Sequence, residues 1–407
     1  MKLYFKLAWR NLWRNKRRTF ITMASVFFAV IMATLMMSMK EGSYTNMTNS
    51  MVASYTGFIQ IHANGYWDSK SLDDSFILTD SIKEQLANTK HVTGYVERIE
   101  SFALSATRTT TKGAMVVGTD PESEKQMTGL DERVTEGEYF SPDDKAVMIG
   151  AGLAEYHKVG VGDTIVLIGQ GYHGSSAAGK YPIKAIVKFG SPDLSKRLIM
   201  LPIKEAKELY STEGTISNLV LLIDDASVAT RVADDLKGHL DNRYEIMPWP
   251  ELVPDLVDMI EADRVEGYIF MFILYMVISF GIFGTVLMMI AERKHEFGVL
   301  VAVGMKRVKL ATVLLIEVVI ISLLGAFFGI FGALPVITYF YLNPIRFGGE
   351  EAGKMMEEYG MEPILQPSID PSVFINQAAI VALVACLIAV YPFINVLRLN
   401  AIKAMRS

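Results

Sequence analysis

The chain of 407 residues holds one cysteine and six scattered histidines, and only 20% of its side chains are charged. Cys386 lies inside an apolar run, so the polar part has no disulfide, a state that suits either side of a membrane. His62, His91, His157, His173, His239 and His295 form no HExxH and have no cysteine partner, which argues against a metal centre. No GxSxG occurs, and no paired carboxylates stand apart from solvated runs such as "SPDD" and "LIDD". Nothing in the sequence therefore supports an enzyme. The basic residues sit beside apolar runs and form no separate patch, which leaves nucleic acid without a footprint.

What the chain does have is apolar length. Hydrophobic side chains make up 51% of it, and mean hydropathy is +0.29. They concentrate at 20–39, 268–291, 310–333 and 373–393. Each run is near the roughly 20 helical residues that cross about 30 Å of hydrocarbon. With their margins, these give membrane helices at 19–40, 267–291, 310–334 and 373–393. Residues 41–266 have ordinary polarity and are numerous enough to bury a core of their own.

Charge sets the threading. Residues 1–18 carry Lys2, Lys6, Arg10, Arg14, Lys16, Arg17 and Arg18 with no acid, so the N-terminus stays in the cytoplasm. The connection "ERKHEFGVLVAVGMKRVK" at 292–309 and the tail 394–407, with Arg398, Lys403 and Arg406, are cytoplasmic by the same rule. The loop 341–372 sets Arg346 and Lys354 against Glu350, Glu351, Glu357, Glu358, Glu362 and Asp370 and belongs outside. The large region 41–266 is then outside too. A cleaved signal in place of the first helix would leave three spans and spoil this agreement, and its apolar stretch is too long for one. Ahead of it, "KLYFKLAWRNLWRNKRR" sets Phe5, Trp9 and Trp13 on one helical row and Lys6, Arg10 and Arg14 on another. That is an interfacial helix lying on membrane lipids, with indoles at headgroup depth.

The exterior region alternates strand and helix patterns, such as "GFIQIHANGYW", "TDSIKEQLANT", "YVERIESFALSAT" and "ATRVADDLKGHL", which predicts an α+β domain of two lobes. One lobe, at about 145–210, is rich in strands and carries a hairpin at 165–188. Within that hairpin, "GSSAAGK" has the spacing of a phosphate-binding loop. Tyr181 and Pro182 follow Lys180, however, and "YPIKAIVKF" is rich in β-branched residues, so a strand follows where a phosphate loop needs a helix. The stretch reads as a hairpin tip. In the third span Glu317 is an ionisable group in an apolar run, which marks either a functional site or a carboxylate bonded inside the bundle. Gly325, Gly329 and Gly332 follow at close-packing spacing.

Three stretches, "LAWRNLWRNKRRTFIT", "ERKHEFGVLVAVGMKR" and "YPFINVLRLNAIKAMR", in this order around one large exterior domain, resemble the permeases of the MacB, FtsX and LolC/LolE type. "EGEYFSPDDKAVMIGAGLAEYHKVGVGDTI" and "KFGSPDLSKRLIMLPIKEAKELY" resemble that family's exterior domain. The tail departs from the pattern in having Asn400 where the family tends to have proline. The resemblance implies the membrane subunit of an ABC transporter of the inner membrane, working as a dimer of identical or paralogous chains. ATP and magnesium would be bound by a separate cytoplasmic ATPase dimer, since no ATPase domain is fused here. By the same resemblance Glu292, Arg293, Glu296, Phe297, Gly298 and Gly304 are the expected ATPase contacts, and force passes through stiff helices to the exterior domain. Lipoprotein release to a periplasmic carrier is the first functional expectation, with the hairpin docking the carrier through Tyr172, His173, Tyr181 and Pro182. Efflux of peptides or drugs through an adaptor of the MacB kind, and FtsX-like control of a cell-wall hydrolase, are the alternatives.

Overall fold

The computed structural model describes residues 2–14, 16–189, 191–346 and 364–398. The tail residues Lys403, Arg406 and Asn400 and the acidic loop residues Glu350, Glu351, Lys354, Glu357, Glu358 and Glu362 lie outside the described residues. The chain forms two compact units, one centred on Ile260–Arg346 with the segments before Thr45 and after Ile364, the other on Asn46–Met259.

The first unit is helical. An amphipathic helix α1 (Lys2–Arg14) precedes α2 (Lys16–Thr48); the exterior region holds α3 (Tyr66–Ser69), α4 (Asp80–Asn88), α5 (Pro121–Thr128), α6 (Ala151–His157), α7 (Pro192–Arg197), α8 (Ile203–Tyr210), α9 (Ala229–His239) and α10 (Trp249–Leu252); and α11 (Pro254–Glu292), α12 (Lys294–Ala302), α13 (Arg307–Leu342) and α14 (Pro371–Leu397) follow it. Four helices are long and apolar enough to cross a membrane, as the hydropathy predicts. All four overrun the expected spans, α14 the least. At 1.5 Å per residue, α11 is about 58 Å long, nearly twice the hydrocarbon thickness. Asp370 starts α14 by accepting the Ser372 amide at 2.8 Å, with Pro371 in the first turn. The unit's core joins Val26 and Val30 of α2, Ile282 and Met289 of α11, Phe297 of α12, Leu314 and Val318 of α13 and Ala389 of α14. The glycines of α13 form the expected close contact. A Cβ on Gly329 would lie 2.8 Å from Val30 Cβ and 3.0 Å from the Phe27 carbonyl oxygen, so only hydrogen lets α2 approach there.

The second unit is the α+β domain. A π-helix, Asn49–Thr56, continues the chain of α2 and ends at Gly57, whose φ of 73° is open to glycine and strained for other residues. Ten strands form one sheet: β1 (Ile59–Ala63), β2 (Val92–Ala106), β3 (Thr111–Thr119), β4 (Val134–Gly137), β5 (Val147–Gly150), β6 (Thr164–Gln170), β7 (Ser176–Val187), β8 (Leu198–Pro202), β9 (Asn218–Ile223) and β10 (Tyr244–Pro248). Their order is β10-β1-β9-β2-β3-β8-β5-β7-β4, with β6 bridging β2 and β7.

The exterior region forms one compact unit, and two of its hydrophobic cores share this sheet. One core is built on β1, β9 and β10 under the helices Asp80–Asn88 and Ala229–His239; the other lies among β5, β6, β7 and β8 and the helices Ala151–His157 and Ile203–Tyr210. The second lobe also recruits β3, β4 and the end of β2, beyond the 145–210 expected. The 15-residue β2 pairs with β9 over its first half and with β3 over its second, so one strand spans both lobes.

Candidate functional site

The residues singled out in the sequence fall at two places, and the structure adds two further clusters. At the first place, α11 ends at Glu292, and Arg293 turns the chain into the nine-residue α12. Gly304, at φ 107°, lets it turn again into α13. Arg293, Phe297 and Gly298 are buried here, so they are not surface contacts for a partner as expected. Phe297, at 0% exposure, fills the helical core because α12 needs one apolar anchor to hold so short a helix in place. Glu292, Glu296 and Gly304 remain exposed, joined by Val299, Leu300 and Val303, the last 83% exposed.

Glu317, ten residues into α13 and 0% exposed, meets Arg293: Nη1 donates to Oε2 at 3.1 Å. Arg293 Nε donates to Glu296 Oε2 at 3.2 Å, and Arg14 of α1 also donates to that oxygen, at 2.5 Å. Four charges of alternating sign thus run from α1 through α12 into α13. Burial resists ionisation of Glu296, yet Arg293 and Arg14 beside it hold its carboxyl below the ordinary range. The sequence offered a signal for part of this chain, an arginine closing one span and a lone acid in the next.

A second cluster, missed in the sequence, ties α2 to α11. Lys40 Nζ lies 2.9 Å from Asp263 Oδ2, the Tyr44 hydroxyl donates to the same oxygen at 2.5 Å, and the Arg264 guanidinium sits 5.2 Å from the centre of the Tyr44 ring. Lys40 and Tyr44 are four residues apart on one helix and so share a face.

A third cluster, in the exterior unit, holds the end of the π-helix. Arg98 of β2, fully buried, donates Nη1 to the Tyr55 carbonyl at 2.7 Å and grips both Glu124 oxygens at 3.0 and 2.6 Å. Thr119 Oγ1 donates to Glu124 at 2.8 Å, and the Tyr55 hydroxyl donates to Glu100 at 2.8 Å. Burial works against the Arg98 charge, but Glu124, Tyr55 and Glu100 outweigh it and raise its pKa. Beside this anchor is a cavity of about 160 Å³ lined by Tyr66, Trp67, Lys70 and Phe102 among others. Burial pulls the Lys70 ammonium down to about 8.

The second predicted place, the hairpin, differs from expectation. Strands β6 and β7 pair from Thr164–Pro182 to Gln170–Ser176, leaving Gly171 to Ser175 as the tip. Tyr181 and Pro182 sit at the base of the hairpin. Tyr181, 8% exposed, is packed in the lobe's core opposite Ile165, so it is unavailable to a partner. Nor does the hairpin stand free: β6 also pairs with β2, and the His173 amide donates to Asp73 at 2.6 Å. Tyr172 is half-buried and His173 exposed. Lys180 lies on β7 opposite Val166 with no helix after it, as the rejection of a phosphate loop requires.

Residues 19–239 match the MacB-like periplasmic core domain, and residues 268–401 match the FtsX-like permease C-terminal region. The chain belongs to this family of ABC transporter permeases. It is an inner membrane protein, and members of the family are permease subunits that work with cytoplasmic ABC ATPases and often dimerise. Its similarity to the lipoprotein-releasing system transmembrane protein LolC of Neisseria meningitidis serogroup B is 20% identity over 337 residues, 80% of this chain and 77% of that one. Among solved structures, the periplasmic region of MacB from Actinobacillus actinomycetemcomitans is 15% identical, covering 50% of this chain and 93% of that one at a TM-score of 0.35. The extracellular domain of the noncanonic ABC-type transporter YknZ from Gram-positive bacteria is 14% identical, covering 47% and 98% at 0.32.

Proposed function

We propose that this permease works by mechanotransmission: a separate cytoplasmic ATPase dimer, holding ATP and magnesium, moves α12, and the long helices carry that motion to the periplasmic domain of a permease dimer. Both termini are then cytoplasmic, in keeping with the basic residues of α1 and of 292–309. The observation that carries the reading is the make-up of α12 and the turn after it. One side is anchored by Phe297 and Arg293, while Val299, Leu300 and Val303 are bare beside the exposed Glu292, Glu296 and Gly304. Apolar side chains on a charged, membrane-proximal segment are costly unless a partner covers them. Val303→Asp places a charge on the most exposed of these residues. It is expected to reduce ATPase copurification with the full chain at least tenfold, about 1.4 kcal/mol, by desolvating a carboxylate against an apolar partner. Undiminished copurification would reject this contact.

The cargo we propose is lipoprotein, drawn from the outer leaflet of the inner membrane for a periplasmic carrier. The similarity to LolC along most of both chains supports it. The hairpin supports it less than its sequence suggests, and only Tyr172 and His173 remain as carrier contacts at its tip. Exchanging Tyr172 and His173 for serine leaves both strands intact and is expected to slow lipoprotein arrival at the outer membrane. Normal sorting with lost drug resistance would turn the assignment to efflux.

A further inference from the structure

The nine-residue α12 is too short to hold its direction alone, since isolated helices under about 12 residues are marginal in water. Phe297, with the partly buried Val301, supplies adhesion to the core, but apolar contact has no direction and leaves the helix free to roll. Direction comes from Arg293. Its guanidinium is planar, and two of its nitrogens address different carboxylates: Nε goes to Glu296 on α12 itself and Nη1 to Glu317 on α13. Its face also lies 5.2 Å from the centre of the Phe297 ring. Moving α12 therefore means breaking or re-sharing a charge-assisted bond in a site that water does not reach.

The chain of charges has one accessible end and one closed end. Glu296 is half-exposed and Arg14 more so, whereas Glu317 is sealed inside the bundle. A partner or a lipid phosphate that captures Glu296 or Arg14 changes the balance felt by Arg293 and so by Glu317. Beyond Glu317, the same helix packs its glycines against α2: Gly325 against Val26, Gly329 against Val30 and Gly332 against Ile31, each with a notional Cβ no more than 3.0 Å away. A contiguous route thus runs from the exposed side of α12 to the first span.

We infer that Glu317 is a positioning residue for the coupling helix, and that Arg14, Glu296, Arg293 and Glu317 act as one unit that reports docking on α12 to α13. The assignment rests on the mechanotransmission reading for its purpose, though not for its geometry. It places the buried carboxylate of the third span in a mechanical role and requires no proton transport.

The test uses the full chain in nanodiscs, with its native ATPase, in a Cys386→Ser background carrying spin labels at His295→Cys and Phe20→Cys, both exposed and outside the proposed ATPase contact. Wild type and Glu317→Asp are expected to give a narrow distance distribution without nucleotide; Glu317→Gln is expected to give a broad one. The apolar pair Glu317→Leu with Arg293→Met removes both buried charges and should fold normally by thermal melting, yet remain broad. If it is as narrow as wild type, the pair only fills space and the inference falls. The second arm is a cycle of Arg14→Gln and Glu317→Gln on the ATPase rate of the complex. Each is expected to lower the rate roughly tenfold, and the double variant no more than about twofold further, because linked residues are not additive. A double loss near the product, roughly a hundredfold, would show independent residues and overturn the unit. If no ATPase joins the wild-type chain, the permease reading fails, while the label distributions still decide the positioning role.

Discussion

Arg98 is the largest side chain that the structure buries completely, and its burial illustrates how charge is used throughout this permease. It is tolerated because every direction is filled: Glu124 bidentate, the Tyr55 carbonyl, and the Tyr55 ring 4.7 Å away. Arg98→Met alone strands Glu124 in the interior and is expected to cost about 3–5 kcal/mol in urea melts of the full chain, whereas adding Glu124→Leu should recover most of it. Equal loss in both variants would mean that the Tyr55 carbonyl bond, and not charge compensation, is what matters. Little of this was legible in "YVERIESFALSAT". In an alternating strand a lone arginine reads as solvated, and its partner stands 26 residues on, across a turn. Glu317 and Arg293 were each conspicuous, the acid for its apolar setting and the arginine for its place in the motif, but only the fold pairs them. Phe297 is buried where the resemblance implies a contact, because a buried anchor and an exposed contact look alike in a short helix of mixed charge.

At the scale of elements, pattern served well wherever burial is one-sided or total. The four apolar helices and the strand after Lys180 follow directly from hydropathy and β-branching. Helix ends were less legible where, as in α2, the polar turns that prolong the helix outside the hydrocarbon carry no hydropathy signal. The ties at their roots, Lys40 and Tyr44 to Asp263, lie between segments more than 200 residues apart. The glycine seam gives a graded prediction. Gly329→Leu forces a side chain against Val30 and a backbone carbonyl and is expected to lower the melting temperature in nanodiscs by several degrees, the scale of about 1–3 kcal/mol for overpacking. Gly332→Ala meets only the movable ends of Phe27 and Ile31, at 3.0 Å, and should stay near wild type. Equal effects of the two would argue that α2 and α13 are not held by this seam.

For the whole molecule, the proposed reading is mechanotransmission, the handing on of force in place of the passage of a solute. In the helical unit Arg293 pairs with Glu317 and Tyr275 with Gln377, and the seam between α2 and α13 is closed by glycine. In the exterior unit, the segment that follows α2 ends in a fully bonded anchor on the strand shared by both lobes. The most direct measurement is hydrogen exchange across the full complex in nanodiscs, comparing the nucleotide-free state with one trapped with ATP, for wild type and Val303→Asp. Mechanotransmission predicts changed protection at residues 49–60 and in β2 on trapping, lost in the variant. A nucleotide response confined to 292–309, with the exterior unit unchanged, would contradict it.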